Sequence, residues 1–249
     1  MGAGVRVSAG FACVRLPSGD CGTGIQPTTV RKSPLGRATY LRCGNLDVVK
    51  PLIGVLAVQG DVREHARSLE SLGAATRLVR RPEELDDLDG IVLPGGESTT
   101  MDKLLRAFEL RDPLRQRLRG GLPAYGSCAG MILLADSVLD ATSDQETLGG
   151  LDVTVRRNAF GRQVDSFEEN LSMPEVLGED SAPVRAVFIR APWVESVGPD
   201  VRVLGTVATG PAAGRIVAVR QGNLFATSFH PEVTGDHRIH DYFLGMTRR

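Results

Sequence analysis

Cysteine is scarce in this chain: there are four among 249 residues, and three of them (Cys13, Cys21 and Cys43) fall in the first 50. Cys128 is therefore alone in residues 51–249, which excludes an internal disulfide there and fits a reducing compartment. Long apolar runs are missing too, and none approaches the ~18 residues that a membrane-crossing helix needs. Charge of one sign is lacking, with a formal net charge of −1, so nothing electrostatic favours nucleic acid or a membrane as partner. No His/Cys group has zinc-ligand spacing. No Gly-Lys-Ser/Thr completes a phosphate-binding loop. Neither a metal nor a cofactor is expected. What is present is 42% hydrophobic and 24% charged, the balance of a globular protein with a sizeable core.

The charge is unevenly spread. Residues 1–50 hold seven Lys or Arg against two acids, a net +5 that leaves −6 for the remainder. They show no sustained apolar periodicity and are expected to form a flexible or unstructured N-terminal extension. A plain tail, an organelle-targeting segment and a start site set too far upstream all stay open as its origin. Residues 51–249 are expected to form one domain.

Order in the pattern begins at Leu52. Residues 52–58 (LIGVLAV) form a short continuous apolar run, as a strand buried on both faces would. Val62, Ala66, Leu69 and Leu72 then recur at helical spacing, closed by Gly73. Residues 75–79 and 90–93 read as further strands. Helices are expected from about Thr99 and over 111–119, the first capped by Ser98 or Thr99. A strand over 122–125 leads through a tight turn into a helix continuing over 131–135. From Leu151 the character is β, with strands over 151–155, 184–189 and 201–207. A hairpin over 216–220 and 224–229 follows, and then a closing helix over 236–246. Strands alternating with helices indicate an α/β fold with a mostly parallel sheet.

Three segments carry candidate chemistry. Gly126-Ser127-Cys128-Ala129-Gly130 sits between a strand and a helix, the setting of a nucleophile elbow. The turn would lift the sulfur over the carboxyl edge of the sheet, where open α/β sheets bind ligands. The helix start behind it favours a thiolate, and the Ala129 N–H points where an oxyanion would form. His230-Pro231-Glu232 ends the last strand and supplies a base with a carboxylate to orient it. Chance alone gives G-x-C-x-G about 0.05 times and H-x-E about 0.2 times in such a chain, so neither names a reaction by itself. Pro94-Gly95-Gly96-Glu97-Ser98 lies at another strand-to-helix junction, where two glycines let the backbone approach a ligand. Arginines at 156, 157 and 162, and Arg190, lie at strand ends and suit a carboxylate ligand. His65, His237 and His240 fall in amphipathic helices and are assigned to surface or packing roles.

Together these segments closely resemble the glutaminase subunits of pyridoxal 5'-phosphate synthases, a family of class I (triad) glutamine amidotransferases. The resemblance rests on Val58-Gln59-Gly60 with Arg63-Glu64-His65, GIVLPGGESTT over 90–100, and GSCAG over 126–130. It continues through RNAFGRQVDS over 157–166, IRAP over 189–192 and SFHPE over 228–232. It implies a flavodoxin-like three-layer sandwich, and hydrolysis of L-glutamine to L-glutamate and ammonia through a cysteine thioester. Cys128 would be nucleophile, His230 base and Glu232 its orienter. Gly96, Glu97, Ser98, Arg157, Ile189 and Arg190 would contact glutamine, and Gly96 and Ala129 would form the oxyanion hole. A synthase subunit would receive the ammonia in a cytoplasmic hetero-oligomer. Asp61 departs from the pattern, which favours a small residue there. The extension and modest expansions at 177–183 and 208–214 depart from it as well. Two other readings stay open: a class I glutaminase subunit serving a different acceptor, and a docking module that keeps the fold without the activity.

Overall fold

The computed structural model of the chain describes residues 50–159 and 166–248, together with the backbone of two short strands, β1 (Thr29–Lys32) and β2 (Ala38–Leu41). These two pair antiparallel, Thr29 opposite Leu41 and Lys32 opposite Ala38. They belong to a unit of residues 1–48, and residues 49–249 form another. The rest of the expected extension lies outside the described residues.

The larger unit begins β3 (Leu52–Leu56), α1 (Val62–Ser71), β4 (Ala75–Val79), β5 (Gly90–Leu93). It continues α2 (Ser98–Ala107), α3 (Arg111–Arg119), β6 (Ala124–Ser127), α4 (Ala129–Leu134). Next come β7 (Ala135–Leu139), β8 (Leu151–Arg156), β9 (Phe167–Leu171), the single turn α5 (Pro174–Leu177) and β10 (Val184–Phe188). Last are β11 (Trp193–Val197), β12 (Arg202–Thr206), β13 (Ile216–Gln221), β14 (Leu224–Thr227) and α6 (Arg238–Thr247).

Ten strands form one sheet in the order β4-β3-β5-β6-β14-β13-β11-β8-β7, with β12 also on β13. From β4 to β14 every pairing is parallel. At β13 the sheet turns antiparallel, through the Gly222-Asn223 connection, where Gly222 takes φ +54°. β9 and β10 make a separate antiparallel pair. In a strand, successive side chains face opposite ways, and both faces are covered here. Ile53, Val55, Val92 and Tyr125 pack with Leu69 of α1 and with Ile239 and Phe243 of α6. Leu56, Ile91, Leu93 and Ala124 pack with Met101 and Leu105 of α2, Leu114 and Leu118 of α3, and Ile132 of α4. The result is three layers about a mostly parallel sheet.

The differences from expectation fall at element ends and on half-exposed strands. The first strand stops at Leu56 rather than 58, and β6 starts at Ala124 and runs on through Ser127. The helix after the elbow starts at Ala129 and gives way at Ala135 to a strand the pattern did not show. β7, β9 and β11 (ADSVL, FEENL, WVESV) are short and half-exposed, and their Asp, Glu and Asn residues are poor strand formers. Among the described residues no helix is long and apolar enough to cross a membrane.

Candidate active site

The parallel order brings the carboxyl ends of β3, β5, β6 and β14 to one edge. Cys128 follows β6 directly, at φ 49°, ψ −100°, a conformation sterically disfavoured for an L-residue. Its backbone N–H donates to Thr227 O at 2.8 Å, tying the turn to β14. A Cβ on Gly130 would overlap the Leu93 carbonyl, and one on Gly126 would lie 2.6 Å from Gly130 C, so the elbow closes only around glycines. Cys128 is 6% exposed and opens into a cavity of about 310 Å³ that His230 also lines.

His230 is held from both sides. Its N–H donates to Val187 O at 3.0 Å, and its Nδ1–H donates to Glu232 Oε1 at 2.7 Å. Asp61 Oδ2 stands 3.4 Å from the same nitrogen. Burial disfavours the imidazolium, but hydrogen bonding to Asp61, Cys128 and Glu232 outweighs it and holds the imidazole well above its ordinary range. Burial likewise opposes an ionised Glu232, and the neighbouring His65 and His230 keep it well below the usual carboxylate range. Asp61, His230 and Glu232 each offer a ligand atom within 4.8 Å of the others. The proton on Nδ1 already satisfies that convergence of two carboxylates on one nitrogen.

The sequence-predicted glutamine contacts Gly96, Glu97, Ser98, Arg157, Ile189 and Arg190 all line the cavity with Cys128 and His230. Glu232 stands behind His230, and Ala129 is buried as the first residue of α4. Glu97, not Ser98 or Thr99, caps α2, accepting from Thr99 N at 3.2 Å and Thr100 N at 2.6 Å. Its longer side chain curls back onto the first turn from an extended backbone. The same carboxylate accepts from Arg157 at 2.9 Å. Gln145 joins the group, accepting from Arg157 at 2.6 Å and donating to Ser98 Oγ at 3.0 Å. The turn before α1 braces the glycine loop: Gln59 Oε1 accepts from Glu97 N at 2.8 Å, and Asp61 N donates to Gly95 O at 3.3 Å. Phe160, Gly161, Arg162 and Gln163 lie outside the described residues.

Sequence reasoning did not find Gln145 or the contact of Asp61 with His230, and of the surface or packing roles expected for His65 and His240 the structure shows packing. His65 and His240 are fully buried and bonded to each other at 2.9 Å. Position offered a signal for His65, since it lies on the apolar stripe of Val62, Ala66 and Leu69.

A model of the SNO glutamine amidotransferase family matches residues 55–249. The chain is 67% identical over 198 residues to a pyridoxal 5'-phosphate synthase subunit PdxT of Kineococcus radiotolerans, a match covering 80% of this chain and 95% of that one. It is 63% identical over 203 residues to a Rhodococcus opacus protein of the same description, covering 81% and 99%. A crystal structure of a glutamine amidotransferase superposes with a TM-score of 0.71 at 44% identity, covering 78% of this chain and 98% of that one.

Proposed function

The chain belongs to the SNO glutamine amidotransferase family, and from that premise we propose that it hydrolyses L-glutamine to L-glutamate and supplies the ammonia to a pyridoxal 5'-phosphate synthase subunit, in the cytoplasm. The observation that carries this reading is Cys128, on a strained turn, sharing one cavity with an imidazole that Glu232 holds at 2.7 Å.

In the first half-reaction the Cys128 thiolate attacks the side-chain amide carbon of glutamine. The N–H groups of Gly96 and Ala129 hold the tetrahedral oxyanion. The C–N bond breaks as imidazolium His230 gives its proton to the departing nitrogen, leaving ammonia and a γ-glutamyl thioester. In the second, His230 takes a proton from water, the hydroxide adds to the thioester, and glutamate leaves as the thiolate returns. Glu232 keeps the Nδ1 proton in place throughout, so Nε2 is the nitrogen that exchanges protons. Glu97, Ser98, Arg157, Ile189 and Arg190 orient the substrate, with arginine suited to its α-carboxylate.

Glutamate release is to be measured with the synthase subunit present and absent. Cys128→Ala abolishes it while calorimetry still detects glutamine binding. Wild-type turnover in that variant would refute the assignment of the nucleophile. Turnover that ignores the synthase, with no co-purification of the two chains, would refute the partner.

A further inference from the structure

Behind the carboxylate of Glu232 lie two imidazoles that the mechanism above leaves idle. His65 projects from α1 and His240 from α6, and both are 0% exposed. His65 Nε2 stands 3.5 Å from Glu232 Oε1, the same oxygen that accepts from His230 at 2.7 Å. That Nε2 makes no hydrogen bond to any described residue. On the other side of the ring, His65 Nδ1 is 2.9 Å from His240 Nε2. Tyr125 packs edge-on against both rings, at centroid distances of 6.0 and 5.9 Å. Three separate segments of chain thus place two imidazoles in line on one catalytic oxygen.

Resting on the triad proposed above, we infer that His65, backed by His240, is a positioning residue that fixes Glu232 on His230. The protons follow from the contacts. A carboxylate oxygen accepts, so His65 carries its hydrogen on Nε2, and in its neutral form takes a bond from His240 Nε2–H at Nδ1. Burial pushes His240 down to about 3, which keeps it neutral as this arrangement requires. The gap of 3.5 Å exceeds a formed hydrogen bond. Catalytic contacts are often long in the free enzyme and tighten only in the substrate complex. On the opposite side, Ser127 Oγ reaches Glu232 Oε2 at 3.5 Å, so both carboxylate oxygens are bracketed.

The test compares His65→Leu with His65→Gln, whose amide N–H can still reach Glu232. The readouts are the rate of iodoacetamide alkylation at pH 7, followed by mass spectrometry on the Cys128 peptide, and glutamine turnover in the synthase complex. Removing a donor to a charged group lowers the alkylation rate and kcat of His65→Leu about tenfold or more, with KM for glutamine unchanged. His65→Gln recovers to within about threefold of wild type. Folding of each variant is checked by thermal melting. A folded His65→Leu with wild-type rates overturns the relay, and so does a folded His65→Gln as impaired as His65→Leu. If His65→Leu does not fold, His240→Leu decides: a severalfold loss of alkylation rate supports the relay and a wild-type rate overturns it. Alkylation needs neither glutamine nor partner, so it tests the relay even where absent turnover by the wild-type chain would count against the proposed function.

Discussion

Replacing Glu97 with alanine removes two contacts at once, and their sizes can be worked out separately. The carboxylate caps α2 through Thr99 N and Thr100 N, and losing such a cap costs about 1 kcal/mol. It also pairs with Arg157 at 2.9 Å, but the Glu97 side chain is 41% exposed, so solvent screening limits that pair to about 0.5–1 kcal/mol. Arg157 keeps its bond to Gln145 and is not stranded. The sum is about 1.5–2 kcal/mol, or a fall in Tm of roughly 3–8 °C for a domain of this size. Glu97→Gln keeps an oxygen for the cap and loses the charge, so about half the effect should remain.

The pH dependence sharpens that test. Burial raises the Glu97 carboxyl, but hydrogen bonds from Thr100 and Thr99 outweigh it and leave it below its ordinary value. A depressed carboxyl contributes stability that is present above its unfolded value of about 4.3 and lost as pH falls through the folded one. The melting difference between wild type and Glu97→Gln is therefore full at pH 7 and closes below about pH 4. Circular dichroism melts at the two pH values measure it. A Glu97→Ala protein melting within about 1 °C of wild type at pH 7, or a difference that ignores pH, refutes this account of the helix start.

Three further outcomes follow from the same structure. Gly130→Ala drives a methyl into the Leu93 carbonyl, so it should lose more than about 2 kcal/mol in urea unfolding and most of its alkylation at Cys128. Asp61→Asn removes one of the groups that raise His230 and so lowers its folded value. The stability contributed by a raised imidazole is complete below about pH 6.5 and lost as pH climbs through the folded value. Wild type should therefore exceed Asp61→Asn at pH 6 by more than at alkaline pH, as paired melts would show. Phe225→Ala empties a fully buried site stacked on Tyr125 at 5.0 Å; chemical denaturation should register about 3–5 kcal/mol.

Much of the fold was legible where the local pattern alone marks the element. β4, β5 and α3 fall where the apolar pattern put them, because unbroken runs and helical spacing mark what the core demands. The strands that escaped are those whose pairing comes from distant partners. β9 is Phe-Glu-Glu-Asn-Leu and owes its form to the ladder with β10, which no local pattern announces. The glycines at 96, 126 and 130 and the order His230, Pro231, Glu232 were legible as candidates because their geometry is local. Gln145, Asp61 and His65 were not. Each acts across 12 or more residues of sequence, on Arg157, His230 and Glu232 respectively, and only the folded chain brings those pairs within reach.

Thr227 lies opposite Ser127 in the parallel ladder of β6 and β14, and Cys128 donates its amide hydrogen to Thr227 O. The sulfur and the imidazole are thus spaced by a rung of backbone hydrogen bonds rather than by the flexible connections around the cavity. Loop insertions at the rim can then change what enters without altering the distance across which a proton moves. The same coupling means that reactivity lasts until this buried central pair of strands opens, and core strands open with the protein as a whole. Amide exchange at residues 127 and 227, both fully buried, would then be among the slowest in the chain and would track the global melt.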